Sequence, residues 1–225
     1  MKGRYCVLIP AVDAAETIAS LVQRAKAHGL PVVVVDDGST DRTAALASAE
    51  GALVISHLRN EGKGRALRTG FEHVRRAGYD GVVTMDSDGQ HDPAEIPQLI
   101  GAAEHQYAAL VLGNRFADGY VMPAVRRLTN RVMSGLISLL IRQRIPDSQC
   151  GFRFIRKEVL ETVPLRSRLY EIETELLIGA ARHRWKIVSV YIKSIYEPRQ
   201  KSRIQPVRDA ARFAGVMVRA VIRHG

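Results

Sequence analysis

Two aspartates one residue apart, Asp86 and Asp88, follow the strand-forming run Val82-Val83-Thr84-Met85 and enter a turn that holds Gly89. Both carboxylates can therefore leave a sheet edge toward the same space. Hard divalent cations take oxygen ligands, and Mg²⁺ is often held by one or two protein carboxylates while substrate phosphates complete its shell. The spacing suits such a site or an acidic turn that caps a strand, and the motif alone leaves both open. A second acidic run, Asp36-Asp37-Gly38-Ser39-Thr40-Asp41, follows Val32-Val33-Val34-Val35. Carboxylates at the C-terminal end of a parallel strand stand where open α/β sheets bind ligands, and they can accept hydrogen bonds from a ribose or a base N–H. Asn60-Glu61-Gly62-Lys63-Gly64-Arg65 brings a lysine and two glycines to a helix start, a combination that can cradle a phosphate. It lacks both P-loop spacing and the full dinucleotide fingerprint, which argues against ATPase and NAD-binding readings.

These residues need a scaffold, and the periodicity supplies one. Positions 5–9 read as a buried strand that stops at Pro10, because proline gives no N–H to a central ladder. Ile18, Leu21, Val22 and Ala25 recur at helical spacing, and His28-Gly29 closes that helix. The β-branched run at 32–35 suits a parallel strand covered on both faces. A helix over 43–50, a strand at 53–55, and a helix carrying Ala66, Leu67, Phe71 and Val74 come next. The strand before Asp86, a helix from Pro93 through Ile96, Leu99 and Ile100, and a strand at 110–112 complete the series. This alternation implies an α/β fold with a doubly wound, largely parallel sheet and helices on both faces.

The chain has 225 residues, 46% hydrophobic and 25% charged, which suits one large domain with a buried core. Its net charge of +10 gathers late, in Arg126, Arg127, Arg131, Arg142, Arg144 and the stretch 199–223. That balance favours polyanionic partners: nucleic acid, an anionic membrane surface, or phosphorylated substrates. A nucleic-acid-binding module is the remote alternative, since interleaved aromatics and recognition motifs are missing. Cys6 and Cys150 form no Cys-x-x-Cys, so a reducing compartment is the simpler reading. No signal peptide is evident at the start, and the longest apolar stretch, 132–141, is too short to span a bilayer. A soluble or peripheral protein is expected.

Several ordered motifs together resemble a known family. Val7-Leu8-Ile9-Pro10 with Glu16, the run 35–41, Asn60 with Gly62-Lys63-Gly64 and Ala66, Asp86-Ser87-Asp88-Gly89-Gln90-His91, and Gly113-Asn114-Arg115 look like family 2 glycosyltransferases of the GT-A fold. Dolichyl- or polyprenyl-phosphate mannose synthases are the most similar branch, over roughly positions 5–203. The resemblance implies a nucleotide-sugar donor of GDP-mannose or UDP-glucose type, with Pro10, Val12, Glu16, Val35 and Asp37 near the nucleoside. It places Lys63, Asp86 and Ser87 near the diphosphate, and Asp86, Asp88 and Gln90 on Mg²⁺ or Mn²⁺. A Lewis acid there stabilises charge as the nucleotide departs, which makes Asp88 a catalytic candidate. Ala11-Val12-Asp13 stands where the family usually has an aromatic-containing loop.

The remaining sequence is read as the acceptor half. Arg126-Arg127-Leu128-Thr129-Asn130-Arg131 precedes the apolar helix at 132–141. Arginines beside such a helix can seat a lipid phosphate while the helix lies against acyl chains, or the helix can be a core element with a solvated basic end. Asp147-Ser148-Gln149-Cys150-Gly151-Phe152-Arg153 resembles the family's acceptor-side loop. Arg115 and Arg131 are the candidates for positioning a phosphate acceptor, with Arg127, Asn130 and Glu173 also on that side. Trp185 reads as packing at a helix end, before a strand at 187–195. Arg199, Lys201 and Arg203 resemble a basic loop that closes over the donor diphosphate. From 206 on, Val207, Ala210, Phe213, Met217 and Val221 with interspersed arginines form a basic amphipathic helix.

The expected organisation is a GT-A domain over 1–203, divided into a nucleotide-sugar half (1–115) and an acceptor half (116–203), followed by the helix 204–225. The expected function is inverting, metal-dependent hexosyl transfer to a polyprenyl or dolichyl phosphate at the cytoplasmic face of a membrane, with room for a separate membrane subunit. The alternative is a sugar or protein hydroxyl acceptor. That chemistry needs a carboxylate base, whereas a phosphate acceptor is already anionic.

Overall fold

The structure, a computed structural model, describes residues 3–116, 124–193 and 195. The elements run β1 (Tyr5–Ala11), α1 (Ile18–Lys26), β2 (Val32–Asp36), α2 (Thr43–Ala49), β3 (Leu53–Ser56), α3 (Lys63–Arg76), β4 (Gly81–Thr84), α4 (Ile96–His105), β5 (Leu110–Asn114), α5 (Ala124–Ile141), β6 (Arg153–Arg156), α6 (Lys157–Thr162), α7 (Ile172–Arg182) and β7 (Ile187–Tyr191). They build one seven-stranded sheet in the order β3-β2-β1-β4-β6-β5-β7. Among the described strands, β6 alone is antiparallel to its neighbours, β4 and β5. The sheet order reverses direction between β1 and β4, and a crevice at the carboxyl ends of strands on either side of such a switch point is where open α/β sheets bind ligands.

The apolar runs explain the layering. Successive residues of a strand point to opposite faces, so a strand covered on both sides must be apolar throughout. Cys6 and Leu8 of β1 join Val33, Val35 and Val82 in a core closed by α3, α6 and α7. Tyr5, Val7 and Ile9 join Val32, Val34 and Val83 in the opposite core, under α1, α2 and α4. Helix α3 lies so near β1 that a Cβ at Gly70 would stand 2.3 Å from Leu8 Cδ1. Trp185 packs against the first core and donates its Nε1–H to Thr162 Oγ1, as expected of a helix-end residue.

Three expectations need correction. Strand β1 does not stop at Pro10 but runs through it to Ala11. Leu8 O accepts from Met85 N, so Pro10, of the same parity, turns its nitrogen toward β4. There the pairing has already ended at Thr84, and no ladder bond is lost. The stretch expected to be only loop, 147–153, ends in the short strand β6, which joins the two expected halves by pairing with both β4 and β5. Strand β7 ends at Tyr191, short of 195. Among the described residues no helix is long and apolar enough to cross a membrane, and the expected helix at 204–225 lies outside them.

Candidate functional site

Strand β4 ends in the middle of the sheet and delivers Asp86 directly at the switch point. Met85 N still bonds Leu8 O, and Asp86 N–H then donates to His91 Nδ1 at 3.2 Å. That bond requires a neutral imidazole with its proton on Nε2. Burial favours this form and, against the attraction of Asp86 and Asp88, holds His91 below its ordinary pKa. The ring is stacked on Phe152, centroids 5.1 Å apart. Asp88 Oδ1 accepts from Gln90 N at 3.0 Å and closes the turn around Gly89, and Thr17 Oγ1 donates to Ser87 O. Asp88 is exposed and the Asp86 side chain is 26% exposed, so both reach the crevice.

Asp86 is hemmed in on two sides. A Cβ on Gly151 would stand 2.7 Å from both of its carboxylate oxygens, so only glycine lets the 147–153 segment pass there. Lys63 Nζ lies 2.5 Å from Asp86 Oδ1 and 2.7 Å from Glu173 Oε1. Burial works against the ammonium, but these two carboxylates outweigh it and hold the Lys63 pKa above the usual lysine range. For Asp86, burial pushes upward, while Lys63 pulls harder and brings it down to about 2. The carboxylate is therefore ionised throughout the neutral range.

Lys63 thus spans two carboxylates rather than lining an open phosphate cradle. Glu173, at the start of α7, also has Oε2 3.9 Å from Arg153 Nη2. Arg153 is 1% exposed and donates to the carbonyls of Cys150, Ser148 and Glu173, which fixes the 147–153 segment onto α7. The Lys63–Glu173 contact joins residues 110 apart, and no periodicity in the sequence points to it.

At the end of β2 the acids turn inward. Asp37, 2% exposed, accepts from Glu61 N and Gly62 N at 3.0 and 2.7 Å, and its Oδ1 lies 2.7 Å from His57 Nδ1. Its oxygens hold the glycine-containing loop. Asp36 Oδ1 accepts from Ser39 N and Oγ. Val35 is fully buried in the core, so its side chain does not line a ligand site. Pro10 is the next-to-last residue of β1, and Val12 and Glu16 lie on the loop after it. That loop is tied to the β2 end by Thr40 N to Asp13 Oδ1 and Ala14 N to Thr43 Oγ1.

On the acceptor side, Arg115 is not presented to solvent. Its Nε and Nη2 lie 2.7 and 3.0 Å from the two oxygens of Asp147, and the side chains are 6% and 0% exposed. Asp147, the partner of Arg115, was read only as part of the 147–153 segment, and His57, the partner of Asp37, was not singled out from sequence. Asn130 is buried on α5, whose Ser134 Oγ accepts from Ser148 N. Arg127 is half-buried, and Arg131 is exposed with its guanidinium 5.8 Å from the Phe116 ring centroid. Arg199, Lys201 and Arg203 lie outside the described residues.

Among the described residues no group of three or more His, Cys, Asp or Glu stands ready for a metal ion. A pair of hard, ionised carboxylates at a crevice nevertheless fits Mg²⁺ or Mn²⁺ that shares its shell with substrate phosphates.

A family model described as glycosyl transferase family 2 matches residues 6–163. The chain is 33% identical over 205 residues to the polyprenol monophosphomannose synthase of Mycolicibacterium smegmatis, covering 84% of this chain and 76% of that one. It is 30% identical over 213 residues to the UDP-N-acetylglucosamine–dolichyl-phosphate N-acetylglucosaminyltransferase of Methanococcus voltae, covering 84% and 85%. Among solved structures, the glucosyl-3-phosphoglycerate synthase of Mycobacterium tuberculosis in complex with Mn²⁺, UDP and phosphoglyceric acid superposes with a TM-score of 0.74. It covers 98% of this chain and 78% of that one, at 22% identity, and so speaks to the fold.

Proposed function

Because this chain belongs to glycosyl transferase family 2, we propose that it moves a hexosyl group from a nucleoside-diphosphate sugar to a polyprenyl phosphate. A phosphate oxygen attacks the anomeric carbon, the bond from that carbon to the diphosphate breaks, and the nucleoside diphosphate leaves. The sugar is inverted from an α-linked donor to a β-linked product.

The observation that carries the choice of acceptor is the pairing of Glu173. A hydroxyl acceptor needs a carboxylate free to take its proton. Glu171 and Glu173 are the acceptor-side carboxylates that could take that proton, and Glu173 faces Lys63 on one oxygen and Arg153 on the other. A phosphate needs positioning and charge neutralisation instead. Arg115 spends its charge on Asp147 and shapes the wall; exposed Arg131 is the group we assign to the incoming phosphate.

On the donor side, Asp86 and Asp88 would hold Mg²⁺ or Mn²⁺, with Gln90 beside them. The cation would supply Lewis-acid charge to the departing diphosphate. His91 fixes the Asp86 backbone, and the Asp88–Gln90 turn sets the second carboxylate. Pro10, Val12 and Glu16 border the nucleoside end.

Helix α5 offers a surface for the lipid's membrane. Leu128, Val132, Leu136 and Leu139 are 65%, 53%, 47% and 78% exposed and fall on one face, with exposed Arg131 and Arg142 along its flank. Apolar side chains beside arginines suit an anionic membrane surface, the leucines at acyl level and the guanidiniums among phosphates. The decisive experiment incubates purified protein with Mn²⁺, polyprenyl phosphate and, in turn, GDP- and UDP-sugars. Nucleoside diphosphate release that depends on the lipid phosphate is expected with one donor; release with none overturns the proposal.

A further inference from the structure

The contact that the donor reading leaves unexplained is the lysine on its first metal-ligating carboxylate. Lys63 Nζ sits 2.5 Å from Asp86 Oδ1, so any cation taken up by Asp86 has to share that carboxylate with an ammonium. The Lys63 side chain is only 17% exposed, and so little water screens the repulsion between the two cations. The ammonium also has a second anchor. Glu173 Oε1 lies 2.7 Å away and the Tyr170 ring centroid 5.6 Å away. A lysine on a flexible four-carbon stem can therefore leave Asp86 without being stranded.

We propose that Lys63 is a cation gate at the donor site: it occupies Asp86 until negative charge from a nucleoside diphosphate arrives, so that metal and nucleotide bind as a pair. This rests on the reading of Asp86 and Asp88 as the metal-holding edge. Metal alone meets a carboxylate with one oxygen already held by Lys63. Metal with a diphosphate brings the anionic oxygens that offset the added cation and give the ammonium a further partner. The coupling is reciprocal: nucleotide tightens metal by the same factor as metal tightens nucleotide. In this scheme Lys63 is a positioning residue, and Glu173 is its resting place rather than a base.

The test follows free Mn²⁺ by electron paramagnetic resonance during titration of the protein, with and without GDP or UDP. In the wild type, nucleotide is expected to tighten Mn²⁺ by about tenfold or more, within the usual range for coupled sites. Lys63→Gln should bind Mn²⁺ alone about tenfold more tightly than wild type and lose most of the coupling, whereas charge-preserving Lys63→Arg should keep Mn²⁺ weak. Circular dichroism and thermal melts check that the variants fold. Should Lys63→Gln be too unstable, Lys63→Gln/Glu173→Gln removes the ammonium and its second anchor together, leaves the local charge balance unchanged, and should again tighten Mn²⁺ alone. Unchanged Mn²⁺ affinity and coupling in a folded Lys63→Gln or double variant overturns the gate alone. If the wild type binds neither nucleotide in the presence of Mn²⁺, the donor reading falls and the gate falls with it.

Discussion

Replacing Asp147 with alanine should cost this fold far more than an average substitution, and the size of the loss follows from the geometry. The carboxylate receives Arg115 Nε and Nη2 at 2.7 and 3.0 Å and the backbone N–H groups of Arg115 and Gln149 at 3.3 and 3.2 Å. Both side chains of the ion pair are buried, so solvent gives little relief once one charge is gone. Removing one partner of a buried ion pair costs about 3–5 kcal/mol. The two orphaned N–H groups add about 1 kcal/mol each. The total is a large share of the roughly 5–15 kcal/mol that separates folded from unfolded domains. The assay is urea denaturation, with the midpoint read at unchanged slope. Arg115→Met/Asp147→Leu, which removes both charges, should recover to within about 2 kcal/mol of wild type. A loss below about 1 kcal/mol for Asp147→Ala would refute the reasoning, because it would mean that Arg115 is not held by Asp147 in solution. A double variant no more stable than the single one would move the loss from the stranded charge to the backbone bonds.

Asp88→Asn should leave the urea midpoint within about 0.5 kcal/mol of wild type, since the residue is exposed, while metal-dependent turnover falls about 100-fold or more. Gly70→Ala forces a methyl group against Leu8 in a packed core and should lower stability by about 1–3 kcal/mol, read from the same denaturation curves. Burial pushes the thiols of Cys6 and Cys150 up to about 12, so at pH 8 only about one thiol in ten thousand is thiolate. Both should resist a disulfide reagent in the native protein and react on unfolding; rapid native labelling of either would contradict their burial.

The sheet was legible in the sequence wherever a strand is covered on both faces. Val32–Asp36 and Gly81–Thr84 are buried throughout, and their apolar runs point to this. Strand β6 was hidden because it is four residues long, begins with a buried arginine, and owes its pairing to β4 and β5 rather than to local pattern. Asp86 and Asp88 stand out in the sequence as a candidate pair because strand, acid pair and turn are contiguous. The partners of Asp37 were hidden for the opposite reason: residue type and position at a strand end are visible, but the inward turn depends on Glu61, Gly62 and His57, which arrive by tertiary folding. The same holds for Arg115 with Asp147 and for Lys63 with Glu173, whose pairing follows from topology. Helix α5 was recognised as apolar, but periodicity does not say which face the core takes. The structure buries Ile137 and leaves Leu128 and Leu139 exposed.

The choice of acceptor is tested most directly by offering two lipids that differ only in the reacting group. Purified protein with Mn²⁺ and the donor that it uses would be given polyprenyl phosphate or the corresponding polyprenol, and glycolipid formation followed with a labelled sugar. The expected result is product from the phosphate and none from the alcohol, with Glu173→Gln retaining turnover on the phosphate. Transfer to the alcohol, lost in Glu173→Gln while nucleotide binding survives, would instead make Glu173 a base and contradict the phosphate acceptor.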